Sequence, residues 1–184
     1  TATATATAGG SPGATVLNEN FDGVTAPALP AGCVASKATG GAPLWVTSTT
    51  TPDTAPNTAL IDDPNVVTDK HLITPNILIT SASAQITFRN FYNLEDTFDG
   101  GVLEVSSPNI NGGAFTDVTN AAVGGNFVSG GYTDTISTSF QSPIAGRMAW
   151  SGNAGGYQTT VANLGANVNG QTIKLRFRMA SDNS

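Results

Sequence analysis

The stretch QTIKLRFRMA at residues 171–180 decides the fold class. Ile173, Leu175, Phe177 and Met179 alternate strictly with Thr172, Lys174, Arg176 and Arg178. A period of two sends successive side chains to opposite faces of an extended chain, so one row is expected to enter a core and the other to face water. Shorter runs of the same kind recur towards the N-terminus: TVLNE at 15–19, LWVTS at 44–48, TALID at 58–62 and HLITPNILIT at 71–80. ASAQITFRNFYNL at 82–94 places Ala84, Ile86 and Phe88 on one face, and GVLEVSS at 101–107 sets Val102 in opposite phase to Leu103. Turn residues separate the runs at short intervals, the pattern of many short antiparallel strands. The expected class is all-β.

Composition points the same way. Only 11% of the 184 residues are charged, and Gly, Thr, Ser, Asn and Ala dominate, which favours tight turns and short strands over long helices. One domain is the natural size. The net charge is -6, and the seven basic residues are spread along the chain; nucleic acid, which needs a Lys/Arg stripe, is not an expected partner. Apolar runs are short and broken by Thr, Pro or Asn, so no membrane insertion is expected. A single cysteine, Cys33, allows no intrachain disulfide and leaves stability to the core. The Thr/Ala-rich start, without Met or a charged leader, reads as a processed or excised N-terminus, and the expected location is secreted, extracellular or at the cell surface.

Residues 1–14 form a Thr/Ala/Gly-rich extension ahead of a domain spanning 15–184. Its repeat, Thr1, Ala2, Thr3, Ala4, Thr5, Ala6, Thr7 and Ala8, leaves two readings open. One is a low-complexity linker. The other is a strand with a β-branched row on one face and a small row on the other, hinged by the GGSPG that follows.

The ordered series VLNENFDGVTAPALPAGC, PLWVTSTTTPDTAPNTALIDDP, DKHLITPNI, ITFRNFYNLEDTFDGGVLEVS, AGRMAWSG and IKLRFRMASDNS resembles the bacterial jelly-roll modules related to MAM domains, often called choice-of-anchor J. The resemblance runs from about residue 16 to the end. It implies an antiparallel jelly-roll β-sandwich, concanavalin-like, of the kind carried by large secreted bacterial proteins as a non-catalytic interaction or display unit. Two departures stand out: such modules usually read PAGW where this chain reads PAGC, at Cys33, and they continue past SDNS into a closing strand of the form GWRID. The resemblance thus implies a sandwich short of one strand. An open slot exposes unpaired backbone groups, and a strand from another subunit can fill it. A contact of this kind that does not close on itself propagates as a filament.

Residues able to carry chemistry are few. His71 is the only histidine, no GxSxG elbow occurs, and one His with one Cys is too few for a zinc site. No catalytic residue is expected. Calcium takes oxygen ligands, and acidic residues gather as Glu19 with Asp22, Asp62 with Asp63, and Glu95, Asp96 and Asp99. The resemblance implies a structural calcium for which Asp22 and Asp63 match the first two ligand positions. Asp99, in LEDTFDGG, is the third candidate, and the alternative is that all three serve turns and solubility. Trp45 and Trp150 sit in strand-like runs and are expected in the core rather than on a sugar-binding face. The expected function is a non-catalytic, extracellular structural or adhesive β-sandwich, self-assembling into fibres through Thr1–Ala8, with copies of itself or neighbouring modules as partners. The alternative is an accessory module of a secreted bacterial peptidase or hydrolase that binds a glycan or a surface protein.

Overall fold

The computed structural model describes residues 2–7 and 15–183. Strands in chain order are β1 (Ala2–Thr7), β2 (Thr15–Glu19), β3 (Val34–Thr39), β4 (Val46–Ser48), β5 (Thr58–Leu60), β6 (Thr68–Ile73), β7 (Ile77–Leu78) and β8 (Gln85–Asn90). They continue as β9 (Gly100–Ser106), β10 (Thr116–Asp117), β11 (Asn126–Ser129), β12 (Asp134–Thr135), β13 (Met148–Ala149), β14 (Gln158–Asn163) and β15 (Thr172–Ser181). Two sheets carry the fold, ordered β11-β14-β8-β1-β2 and β10-β9-β15-β6-β3, with small pairs β4-β5 and β12-β13 and with β7 on the start of β15. Every ladder is antiparallel. Among the described residues, no helix is long and apolar enough to cross a membrane.

The two sheets face one another across a single main core. Ile86, Phe88 and Ala162 of the first sheet meet Leu72, Leu103, Val105, Leu175 and Phe177 of the second. Phe88 packs edge-to-face on Phe177 with ring centroids 5.1 Å apart, and on Trp150 at 5.6 Å. Both tryptophans are buried, as expected, and Ala84, Ile86 and Phe88 share the buried face. The antiparallel all-β class therefore stands.

HLITPNILIT is not one strand: β6 ends at Ile73, Pro75 has no N–H to give a ladder, and Thr74 donates its N–H to the Leu175 carbonyl of β15 while its hydroxyl oxygen accepts the Leu175 N–H. The strand at 171–180 runs through the middle of its sheet, paired with β6 on one side and β9 on the other. Its charged row does not simply face water either; Lys174 is exposed, but the Arg176 and Arg178 side chains are only 15% accessible. Asp69 on β6 and Glu104 on β9 flank those arginines and neutralise them. A second, smaller core lies on this outer face, where Ile136, Ile144 and Ala149 cover Val102 and Ala180. The opposite phases of Val102 and Leu103 thus feed two cores. Gly100 permits the close approach, since a Cβ there would stand 2.8 Å from Ala149 Cβ and 2.9 Å from Ile136 Cδ1.

The Thr/Ala repeat forms a strand over Ala2–Thr7, while Thr1 and residues 8–14 lie outside the described residues. β1 is interior to its sheet. It pairs along its whole length with β8, from Ala2 opposite Asn90 to Thr7 opposite Gln85. Its other edge pairs with β2, from Ala4 opposite Glu19 to Thr7 opposite Thr15, with a bulge at Ala6/Thr7.

Candidate functional site

Two places gather groups with unspent capacity: the β1 slot, and a cluster of carboxylates beside a cavity between the sheets. In the slot, backbone groups make the site. With β1 in place, β8 and β2 each find a partner on the facing side; without it both would present a bare edge to the gap between them. Among the strands described, β2 has no other ladder. The segment that unites the sheet is thus the one nearest the N-terminus.

The three calcium candidates do not converge. Asp22 serves its own turn: its Oδ2 accepts from Asn20 Nδ2 at 2.8 Å and its Oδ1 accepts the Asn57 N–H at 3.0 Å. The Asn57 amide group then donates to the carbonyls of Phe21 and Val24, tying the ENFDG turn to the 57 loop. Asp63 and Asp99 instead meet and hydrogen-bond to each other. Among the described residues, no three His, Cys, Asp or Glu side chains gather as a metal site would require.

Sequence reasoning missed Asp182, which joins the Asp63–Asp99 pair through its backbone. Its backbone N–H donates to Asp99 Oδ1 at 2.7 Å just past the end of β15. Asp99 is buried, and burial together with the neighbouring Asp63 and Asp182 charges pushes its carboxyl up to about 8. Burial likewise raises Asp63. Two carboxyls in hydrogen-bond contact share a proton more readily than they bear two charges. The sign for stability follows directly: an unfolded aspartate titrates near 3.9, so Asp99 contributes stability that is full below about pH 4 and is lost as pH rises towards 8. Asp99→Asn keeps an acceptor for the Asp182 N–H while removing the titration. The variant is expected to melt within about 1 °C of the parent near pH 4.5 and roughly 4 °C above it near pH 8, read by calorimetry against pH.

On the outer face of the second sheet, acidic and basic groups interlock. Glu104, 2% exposed, accepts from Arg147 Nη1 at 2.7 Å and Arg176 Nε at 2.6 Å, with Arg178 Nη1 at 3.4 Å. Arg178 also holds Asp69 through Nε at 2.7 Å and Nη2 at 2.8 Å, and His71 Nε2 lies 2.8 Å from the same carboxylate. Burial alone would raise Asp69, but the bonds from His71 and Arg178 overcome it and hold the carboxyl at about 2. His71 is thus a buried partner of the Asp69 carboxylate. Cys33 is half-buried against the core. Burial and the charge of Glu19 raise its thiol, the reverse of an activated nucleophile.

Beside the Asp63–Asp99 pair a cavity of about 230 Å³ opens between the sheets, with Trp45, Tyr92, Trp150 and Phe177 among its walls. No protein-family model, curated protein or solved structure matches the chain.

Proposed function

We propose that this chain is a non-catalytic structural or adhesive module of the cell exterior, a MAM-like jelly-roll whose subunits join by exchanging the N-terminal Thr/Ala strand. The observation that carries the reading is the position of β1: a low-complexity Thr/Ala segment that occupies an interior place in its sheet, laddered on both edges. Main-chain pairing is indifferent to which copy supplies the strand. Leaving one slot and entering the same slot of a neighbour exchanges like contacts for like, and concentration with hinge length sets the balance. Because the slot of one subunit and the strand of the next are different surfaces, the contact is head-to-tail and propagates unless the rotation closes a ring. The alternating repeat suits the role, since a slip of two residues returns Thr to Thr and Ala to Ala positions, so that entry does not depend on a single register.

Electron microscopy and light scattering of the full chain over rising concentration test the proposal. Oligomers that grow with concentration, and that vanish when a proline replaces Ala4, are expected, because proline cannot donate within a central strand. A monomer at every concentration would contradict it.

A further inference from the structure

The inward rows of β8, β9 and β15 run apolar through the core and change character at one end of the sandwich. On β8 the row reads Ile86, Phe88, Asn90; on β9 it reads Val105, Leu103, Gly101; on β15 it reads Leu175, Phe177, Met179. One row thus ends on an amide and another on no side chain at all. The cavity of about 230 Å³ opens at this end, with Asn90, Gly101 and Met179 among its walls. A Cβ on Gly101 would stand 3.7 Å from Trp150 Cε3 and 3.9 Å from the Arg178 carbonyl oxygen, which are ordinary contact distances. Gly101 therefore leaves room that close packing does not require, unlike its neighbour Gly100.

Most polar groups of the walls are already engaged. Trp45 Nε1 donates to the Lys70 carbonyl at 3.3 Å and Trp150 Nε1 to the Gly130 carbonyl at 2.9 Å. Arg178 is matched by Asp69 and Glu104. Tyr92 hydrogen-bonds Thr133, and Asn93 Oδ1 accepts from Asn153 Nδ2 at 2.8 Å. Asp63 bonds to Asp99 and to the Glu95 backbone. The walls accordingly offer no spare charge to an ion. Asn90 differs: it is half-buried, its side chain follows the inward row, and among the described contacts no hydrogen bond engages its amide. An amide carries both donors and an acceptor, and here it stands beside aromatic faces.

We propose that the cavity binds a small neutral phenol, its ring against Trp45, Trp150 and Phe177 and its hydroxyl on the Asn90 amide. A dry cavity of about 150 Å³ accommodates benzene, and 230 Å³ therefore suits a ring with one or two small substituents. Apolar walls with one well-placed polar group are the composition of a small-molecule site. The exposed Asn93 also lines the cavity, so it reaches the surface for entry. This inference is independent of strand exchange.

Titration calorimetry of the full chain with p-cresol and with toluene, which lacks only the hydroxyl, tests it. A hydroxyl buried without a partner would make the phenol bind roughly 10-fold or more weakly than the hydrocarbon. Instead p-cresol is expected to bind with a Kd under about 1 mM and at least as tightly as toluene. Asn90→Leu, which keeps the size of the side chain, is expected to weaken p-cresol about 10-fold relative to toluene. Gly101→Leu fills the cavity and is expected to weaken both ligands at least ~10-fold without lowering the melting temperature. No binding of p-cresol, toluene the tighter ligand by about 10-fold, a ratio unchanged by Asn90→Leu, or affinities unchanged by Gly101→Leu overturns the proposal. The comparison of the two ligands on the unaltered chain stands even if neither variant folds.

Discussion

Removal of residues 1–10 is expected to cost the domain most of its stability and to return it when a peptide of residues 1–8 is added in trans. The deletion takes away the strand that links β8 to β2, leaving β2 without a ladder and β8 with one open edge. Each lost backbone bond contributes about 1 kcal/mol net, and more where the partner stays buried and unsatisfied. Six pairs with β8 and four with β2 are at stake, set against a total stability of about 5–15 kcal/mol for a domain. The truncated chain should therefore unfold at far lower denaturant or aggregate through the β8 edge. The peptide should restore the midpoint in a saturable way, as a ligand that binds only the folded state must. An unchanged midpoint on deletion would return the repeat to linker status.

Glu104→Ala is expected to cost about 3–5 kcal/mol, a fall in melting temperature of roughly 10 °C for a chain of this size. Glu104 is 2% exposed and accepts from three arginines drawn from two parts of the chain: Arg147 ahead of β13, and Arg176 and Arg178 on β15. Arg147 keeps Asp117 and Arg178 keeps Asp69. Arg176 keeps only its stacking on Phe115, at 4.3 Å, among the contacts described. Removing the shared carboxylate thus leaves a largely buried cation uncompensated, which is the costly half of breaking a buried pair. Asp53→Ala, which opens the more exposed Arg89 pair, is expected to shift the midpoint far less. Equal shifts from the two variants in guanidinium-free thermal melts would show that burial does not govern this network.

Period-two alternation made the strands legible. Ile173 to Met179, Ala84 to Phe88 and the opposed Val102 and Leu103 each fall where their spacing places them. Neighbours across the sheet were not legible from the same pattern. Arg176 and Arg178 look like a solvent row in one dimension, and only the pairing of β15 with β6 and β9 brings Asp69 and Glu104 beside them. The carboxylate cluster was half legible: Asp63 and Asp99 stand out in acidic loops, but Asp182 joins them because β15 ends beside the 95–99 turn, a fact of topology rather than spacing. Asp22, equally acidic in sequence, is drawn away by Asn57, whose role no motif announces. The cavity has no signature in the sequence, since its walls come from separate strands and loops.

Strand exchange is tested most directly by mixing two single-cysteine variants, Thr5→Cys and Thr87→Cys, each in a Cys33→Ala background. Residues 5 and 87 face each other across β1 and β8. A disulfide between them in the mixture can form only when the strand of one copy lies in the slot of another. Strand exchange gives a heterodimer of matching mass on mild oxidation at high concentration, and a ladder of cross-linked oligomers when both cysteines are placed in one chain. A double variant that closes only on itself, with no heterodimer from the mixture at any concentration, would contradict it.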